Sequence, residues 1–170
     1  MKKIFFLLFI ITLLSCKSKV PVFEIDQEVN FVFLSGENPI TKHGIIIHDI
    51  PSFLNKNLER KGLKLSDMKE FYAGRGKLES VGDIYDFGIF SKISISVFKK
   101  GDRKNKVEIY YHDQIPLISK GELKLLSTGE DVRDILSLDK YEMEVEYYLK
   151  GFSKDDIHCR LTFEYAAYIE

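Results

Sequence analysis

The chain has 170 residues and carries 25 basic and 26 acidic side chains, so its formal net charge at pH 7 is −1. This length supplies one domain with a real core and is too short for two comfortable ones. The balanced charge excludes the concentrated basic footprint of a nucleic-acid-binding domain, and no nucleic-acid partner is expected.

The first residues have the pattern of a secretory leader. Lys2 and Lys3 precede an apolar run of eleven residues, Ile4 to Leu14, which is broken only by Thr12. A helix that spans a bilayer needs about 20 apolar residues. A short basic segment before an apolar core of about 7–15 residues is instead typical of a signal peptide. The sequence predicts a cleaved signal peptide over residues 1–15.

The end of this leader, Leu13-Leu14-Ser15-Cys16, resembles the lipobox of bacterial lipoproteins, in which an aliphatic, a tolerant and a small residue precede an invariant cysteine. The resemblance implies cleavage before Cys16, a diacylglyceryl group on its sulfur and acylation of the new amine. Lys17 is not the aspartate that signals inner-membrane retention in the enteric version of the family. The resemblance therefore implies a protein of the cell envelope, anchored to the outer membrane and facing the periplasm. An ordinary cleaved signal with a chance cysteine is the alternative.

Residues 16–21 are expected to form a short tether to a single domain over residues 22–170. The five residues from Lys17 to Pro21 reach about 17 Å when extended, at about 3.4 Å each. Each buried methylene of a lipid chain contributes about 0.8 kcal/mol, so two or three chains give lasting attachment. Removing residues 1–15 takes away two lysines and no acid, which leaves 23 basic against 26 acidic residues.

Alternation of apolar and polar side chains predicts seven or eight β-strands in the domain. Gln27 interrupts the alternation of the first strand, and Gly74 and Gly76 suggest a bulge in the third. The strands are predicted at Phe23–Phe33, Gly44–His48, Phe71–Val81, Ser91–Val97, Val107–Tyr111, Leu123–Leu125, Tyr141–Leu149 and Ile157–Ile169.

Two short helices complete the predicted fold. One covers residues 51–61 and is followed by Gly62 as a stop, and the other covers residues 128–137 and opens with a capping-box-like Thr128-x-x-Asp131. The sequence thus predicts a mainly β protein, an antiparallel β-sandwich with two short crossover helices. A closed eight-stranded barrel is the alternative, and its interior could hold a ligand.

Cys159 is the second cysteine of the chain. It shares the apolar face of the last strand, where cysteine behaves as a small hydrophobe. We predict that it lies in the core and is not a catalytic nucleophile.

Signals for enzymatic chemistry are weak. The four histidines have no i, i+4 pair and there is no Cys-x-x-Cys, so neither a metal nor another cofactor is expected. His48-Asp49 and His112-Asp113 at strand ends are the places where a site would converge. No Gly-x-Ser-x-Gly elbow is present, and no catalytic residue is assigned.

Two further clusters have ordinary interpretations. Glu142, Glu144 and Glu146 follow one strand face at about 7 Å intervals, which predicts a solvated face. Gly74-Arg75-Gly76 could approach a phosphate, but it lacks the following helix that would supply a dipole.

Two surface features have functional interpretations. A basic hairpin could contact anionic lipid headgroups, or could simply discourage edge-to-edge aggregation; its cations are Lys99, Lys100, Arg103, Lys104 and Lys106. Tyr110, Tyr148 and Tyr168 lie on the polar side of their predicted strands. If those strands are neighbours, the tyrosines form an aromatic platform for a sugar or a protein.

The sequence therefore predicts a non-enzymatic lipoprotein that serves as a structural or accessory subunit or as a protein-binding module, with a membrane and an envelope protein as partners. A carrier or binder of an apolar or saccharide ligand is the alternative, and a hydrolytic enzyme comes third. The domain itself resembles no family that can be tied to particular residues.

Overall fold

Eight β-strands and two short helices make up the part of the chain that the computed structural model describes, residues 20–82 and 84–169. The predicted signal peptide and Cys16 lie outside these residues. The strands are β1 (Phe23–Phe33), β2 (His43–Pro51), β3 (Glu70–Ser80), β4 (Phe90–Phe98), β5 (Val107–Asp113), β6 (Glu122–Ser127), β7 (Lys140–Leu149) and β8 (Ile157–Tyr168), and the helices are α1 (Leu54–Lys61) and α2 (Arg133–Leu136).

All eight strands belong to one antiparallel sheet with the order β1-β8-β3-β6-β5-β4-β7-β2. The two edge strands, β1 and β2, come close to each other, so the sheet is nearly closed and barrel-like. The predicted mainly β, antiparallel class with two short helices is confirmed. The single rolled sheet is nearer to the barrel of the alternative than to two packed sheets.

The antiparallel order divides the connections between two ends of the barrel. The β1–β2, β3–β4, β5–β6 and β7–β8 connections lie at one end, which we call the distal end. The first described residue, Val20, lies at the opposite end together with α1, the β4–β5 hairpin and α2. We call this the tether end, because the predicted tether enters here.

Large side chains fill the interior of the barrel. Its fully buried aromatic residues include Phe33, Phe90, Tyr141, Phe163 and Tyr165. Cys159 also faces inward, as predicted, and is 1% exposed. Burial raises the pKa of its thiol to about 12, so the reactive thiolate is scarce near neutral pH.

The seam between β1 and β2 is bridged by Gln27, the residue that interrupts the apolar alternation of β1. Its side-chain amide donates to the carbonyls of Pro51 at 3.1 Å and Ser52 at 3.0 Å. Its own carbonyl accepts from the Tyr141 hydroxyl at 2.6 Å, and the Tyr165 hydroxyl donates to that of Tyr141 at 3.3 Å. Side-chain hydrogen bonds thus join two edges that have no backbone ladder between them.

The predicted bulge in β3 is confirmed. Ala73 pairs with Tyr165 and Gly76 with Phe163, so β3 carries one extra residue at this point. The Tyr110 hydroxyl reaches the bulge from inside the barrel and contacts the carbonyls of Arg75 at 3.2 Å and Glu164 at 3.1 Å.

Tyr110 is fully buried, so its predicted place on the polar face was wrong. The reason is a second irregularity, in β5. Ser96 pairs with Glu108 and Ile95 with Tyr110, which leaves Ile109 as an extra residue. A one-residue shift moves every following side chain to the other face of a strand, and Tyr110 therefore points inward.

The helices differ in extent from the prediction. Gly62 ends α1 in the left-handed conformation, as predicted, with φ of 65°. The second helix is shorter than predicted and the Thr128 capping box is not formed. Instead, the Asp131 carboxylate accepts from the backbone N–H of Arg133 at 3.0 Å and of Phe71 at 2.9 Å, and so ties α2 to β3.

We expect Gly76→Ala to destabilise the protein, whereas Gly151→Ala should not. A Cβ on Gly76 would lie 2.6 Å from the Tyr110 ring, while a Cβ on Gly151 meets nothing within 4 Å. Overpacking of this kind costs about 1–3 kcal/mol, and a free surface change stays within about 0.5 kcal/mol. Urea unfolding of the two variants measures both values. Equal stabilities would show that Tyr110 does not occupy the space beside the bulge.

Candidate functional site

The three predicted tyrosines do not form a platform. Tyr110 is inside the barrel, and Tyr148 on β7 and Tyr168 on β8 belong to strands that are not neighbours. Tyr168 instead lies beside Tyr72 on β3, with 5.7 Å between ring centroids. A hydrogen bond with Glu70 raises the pKa of the Tyr72 hydroxyl. The outer wall therefore carries a tyrosine pair that the sequence did not predict.

The carboxylate row Glu142, Glu144 and Glu146 follows the outer face of β7, but it is not solvated as predicted. Glu144 is fully buried, and Arg103 and Lys106 both bind its carboxylate, Lys106 at 2.8 Å. Lys106 also pairs with Glu146 at 2.8 Å.

The row is buried because the β4–β5 hairpin folds over it. Gly44 on β2 leaves room for the carboxylate, since a Cβ there would lie 3.1 Å from an oxygen of Glu144. Ser94 and Ser96 on the other side of β7 are also small. Alternation correctly predicted which face of β7 these glutamates occupy, but not that a loop would cover that face.

Electrostatics reinforces this cover. Burial raises the pKa of the Glu144 carboxyl, but hydrogen bonds from Arg103 and Lys106 outweigh burial and hold the pKa below its ordinary value of 4.5. The same lysine and Lys42 lower the pKa of Glu146 against the effect of burial. Both carboxylates are therefore charged and paired at neutral pH.

The cations of the hairpin fall into two groups, those that form ion pairs and those that do not. Arg103 and Lys106 bind the carboxylate row, and Lys100 pairs with Asp49 at 3.2 Å. Lys99 and Lys104 are exposed and form no ion pair with any described residue. The hairpin lies at the tether end, and contact of these two lysines with lipid headgroups stays a prediction.

The histidine positions do not converge into a site. His48 Nδ1 lies 2.7 Å from the carboxylate of Glu142, and His112 Nδ1 lies 3.1 Å from the backbone carbonyl of Asp113. Within residues 20–82 and 84–169, no group of three or more His, Cys, Asp and Glu side chains is arranged to hold a metal ion.

At the distal end, backbone hydrogen bonds tie the four loops together. Phe87 N–H donates to the carbonyl of Ser119 at 2.9 Å, which joins the β3–β4 and β5–β6 loops. Gly36 N–H donates to the carbonyl of Ser153 at 3.0 Å, which joins the β1–β2 and β7–β8 loops. The amine of Lys150 then links the two halves, since it donates to the carbonyls of Gly88 and Ile115.

This joined set of loops presents apolar side chains to solvent. These apolar side chains are 56–88% exposed, although side chains of this size are ordinarily buried. We call them the distal apolar face: Leu34, Ile40, Ile84, Leu117, Ile118 and Phe152. The sequence patterns did not predict this face. The signal for it is a large aliphatic or aromatic residue inside a Gly- or Pro-containing loop, as in Pro116-Leu117-Ile118.

A cleft of about 460 Å³ opens on the outer wall beside the β3 bulge, and we call it the bulge cleft. Its rim carries charged groups of both signs. It is lined by Asp26, Arg75, Gly76, Lys77, Lys124, Leu125, Thr162, Phe163 and Glu164.

Comparison with known proteins gives no family for the chain. No protein-family model matches it, and no curated protein matches it. One solved structure that it matches is described as "nora virus structure", with 8% sequence identity and a TM-score of 0.31. The match covers 91% of this chain and 64% of the viral one, so the chain spans less than two thirds of the viral chain's length. A likeness at this level carries no argument about function.

Neither helix within residues 20–82 and 84–169 has the length and hydrophobicity that a membrane crossing requires.

We expect Glu144→Gln to lower stability at pH 7 by about 1–3 kcal/mol, because Arg103 and Lys106 lose their charged partner. A carboxyl whose pKa is lowered by folding stabilises the native state above its ordinary pKa, here 4.5, and the benefit is lost as pH falls through the folded value. The difference from wild type should therefore shrink below about pH 4.5.

Urea unfolding at several pH values measures this dependence. Glu130→Gln is the matched control, because Glu130 is exposed and forms no ion pair among the described residues. A gap that stays constant from pH 7 to pH 3 would contradict the ionic role of Glu144.

Proposed function

We propose that the protein is a lipid-anchored, non-enzymatic lipoprotein of the cell envelope that binds a partner protein through its distal apolar face. The observation that carries this proposal is the gathering of exposed apolar side chains on one end of the barrel. Exposed apolar patches on a protein surface mark interaction sites.

The loops that carry this face are ordered before any partner arrives. Asp86 shows how: its carboxylate accepts from the backbone N–H groups of Ser119 at 2.7 Å and Gly88 at 2.9 Å, and these bonds lower its pKa. A face held in this way loses less conformational entropy when it binds than a mobile loop would. The geometry supports a preformed surface for a protein.

The position of the tether argues against the anchoring membrane as the occupant of this face. β1 has eleven residues; at about 3.3 Å per residue and a tilt of about 40°, a strand of that length spans roughly 28 Å of barrel height. The tether of about 17 Å enters at the opposite end. It is too short to let the domain turn over and press its distal end on the same bilayer.

The tether end has the complementary character. Lys99 and Lys104 are exposed there, and anionic headgroups attract lysines with about 1 kcal/mol each when they lie near the surface. In this orientation the barrel stands on the outer membrane, with its cations toward the lipid and the distal apolar face toward the periplasm.

The alternatives have less support. A carrier would need space inside the barrel, and the interior is filled by aromatic side chains. A hydrolytic enzyme would need polar groups that converge on His48 or His112, and their recorded contacts within the described residues are the single pairs given above.

We expect a photoreactive p-benzoylphenylalanine in place of Leu117 to cross-link a partner protein in intact cells. The same probe in place of Leu126 should not, because Leu126 is also exposed (53%) but lies on the side wall of the barrel. Ile84→Asp should abolish the adduct from position 117 without changing thermal stability, since Ile84 is 80% exposed.

Gel mobility and mass spectrometry of the adduct identify the occupant. An adduct of twice the monomer mass would show that the face binds a second copy of this chain. Adducts with lipid alone, or equal adducts from positions 117 and 126, would contradict a partner protein on this face.

The anchor has a separate test. Mass spectrometry of membrane-extracted protein should find a chain that begins at acylated Cys16, and Cys16→Ala should release the protein or stall it as a precursor. Cys159→Ala is the control and should stay membrane-bound. A mature chain that starts elsewhere without lipid would contradict the lipoprotein assignment.

A further inference from the structure

Arg75 is aimed outward by the β3 bulge and is fixed in that direction. Its Nε lies 3.2 and 3.1 Å from the two carboxylate oxygens of Glu164, and its Nη2 lies 2.9 Å from one of them. The backbone N–H of Arg75 donates to the same carboxylate at 2.8 Å. Glu164 is almost completely buried, whereas the Arg75 side chain is 86% exposed. The guanidinium is thus held along one edge, and Nη1 has no partner among the described residues.

Gly74 is what allows this arrangement. A Cβ at Gly74 would overlap the carboxylate of Glu164. The Gly-Arg-Gly sequence therefore serves a specific geometry: Gly74 makes room for the carboxylate outside the barrel, and Gly76 makes room for the Tyr110 ring inside it. Bulges of this kind re-aim a side chain at a surface where it is used.

The rest of the rim supplies both donors and acceptors. Lys124 is exposed and has no partner among the described residues, while Lys77 is paired with Glu79 at 2.9 Å. Asp26 is exposed on β1, and Thr162 lies on β8, the strand between β1 and β3. Arg75 and Lys124 can bind an anionic group, and Asp26 and Thr162 can accept hydrogen bonds from hydroxyl groups.

This mixture selects among ligand classes. A simple anion gains from Arg75 and Lys124 but is repelled by Asp26. A neutral sugar gains from Asp26 and Thr162 but leaves the two cations without an acceptor of matching charge. An acidic sugar uses both the cations and the hydrogen-bond acceptors of the rim.

The tyrosine pair continues the site along the wall. Tyr72 pairs across the strands with Ala166, which lies between Glu164 and Tyr168 on the same face of β8. Alternate residues of a strand are about 7 Å apart. The tyrosine pair therefore begins one or two such spacings from Arg75. The C–H face of a sugar ring is apolar and packs against the ring of an aromatic side chain, as other apolar groups do.

We propose that the bulge cleft and the Tyr72–Tyr168 pair together bind an acidic saccharide, whose carboxylate or phosphate meets Arg75 and Lys124. This site is on the side wall of the barrel, away from the distal apolar face, and does not depend on the function proposed for that face.

The test is isothermal titration calorimetry on the purified full-length protein in a non-ionic detergent. The probes are tetragalacturonate as an acidic oligosaccharide, cellotetraose as its neutral counterpart, and glucuronate against glucose 6-phosphate to distinguish a carboxylate from a phosphate. We expect tetragalacturonate to bind and cellotetraose to bind at least about tenfold more weakly, because charge-assisted hydrogen bonds are the strong ones.

Three variants locate the binding. Lys124→Gln should weaken it by about tenfold, and Tyr168→Ala should weaken it as well. Arg75→Lys keeps a charged partner for Glu164 but loses the planar fork, so it should weaken binding while the protein remains folded. Lys104→Gln is the matched control: it removes an exposed, unpaired lysine on the distant hairpin and should change nothing.

Three outcomes would overturn the proposal. They are no heat of binding with any of the acidic probes, equal binding of tetragalacturonate and cellotetraose, and equal effects of Lys124→Gln and Lys104→Gln. None of them bears on the cross-linking from position 117, so the two proposals fail separately.

Discussion

Backbone groups that strand pairing leaves without partners impose the main constraint on this barrel. Two places in the sheet show this constraint most clearly: the β3 bulge, where an extra residue breaks the ladder, and the seam, where β1 and β2 meet without pairing. An unpaired polar group in a dry interior costs about 1–3 kcal/mol. Tyr110 donates hydrogen bonds to backbone carbonyls at the bulge, and Gln27 does the same at the seam; both side chains reach these carbonyls from the core. The interior is therefore rich in tyrosine as well as phenylalanine.

The same constraint explains how far the sequence could predict the fold. Alternation located seven of the strands and the inward place of Cys159, because burial on one face is a strong local signal. β2 was predicted instead from the run Ile45-Ile46-Ile47, which is typical of a strand buried on both sides; it is an edge strand, and these three side chains are only partly buried. Alternation failed at Tyr110, since an extra residue in β5 changes the face of everything after it and no glycine marks the position. It predicted the face of β7 on which Glu144 lies but not the burial of Glu144, because the direction of a side chain on a strand says nothing about a loop that covers it. Gly74 and Gly76 did mark the other bulge, since two side-chain contacts there exclude a Cβ.

The candidate sites lie where local patterns carry the least information. The distal apolar face is assembled from four loops that are far apart in the chain, and the tyrosine pair joins β3 with β8. Only the order of the strands brings these residues together. By contrast, the cations of the β4–β5 hairpin are close together in the sequence. In the structure some of them bind the carboxylate row, whereas Lys99 and Lys104 form no ion pair with any described residue. The unpaired lysines of the hairpin and the distal apolar face thus lie at opposite ends of the barrel.

The strand order also has a consequence for how the chain reaches its native state. The first strand, β1, pairs only with the last one, β8, and β3 also needs β8 as a neighbour. Partners so distant in the chain give a high contact order, which is characteristic of slowly folding proteins. The barrel cannot close until β8 has left the ribosome, and until then the edges of β1 and β3 that β8 covers are open. If the chain is exported, as we propose, it has to stay unfolded up to its passage through the membrane, and a topology that delays closure is compatible with that requirement.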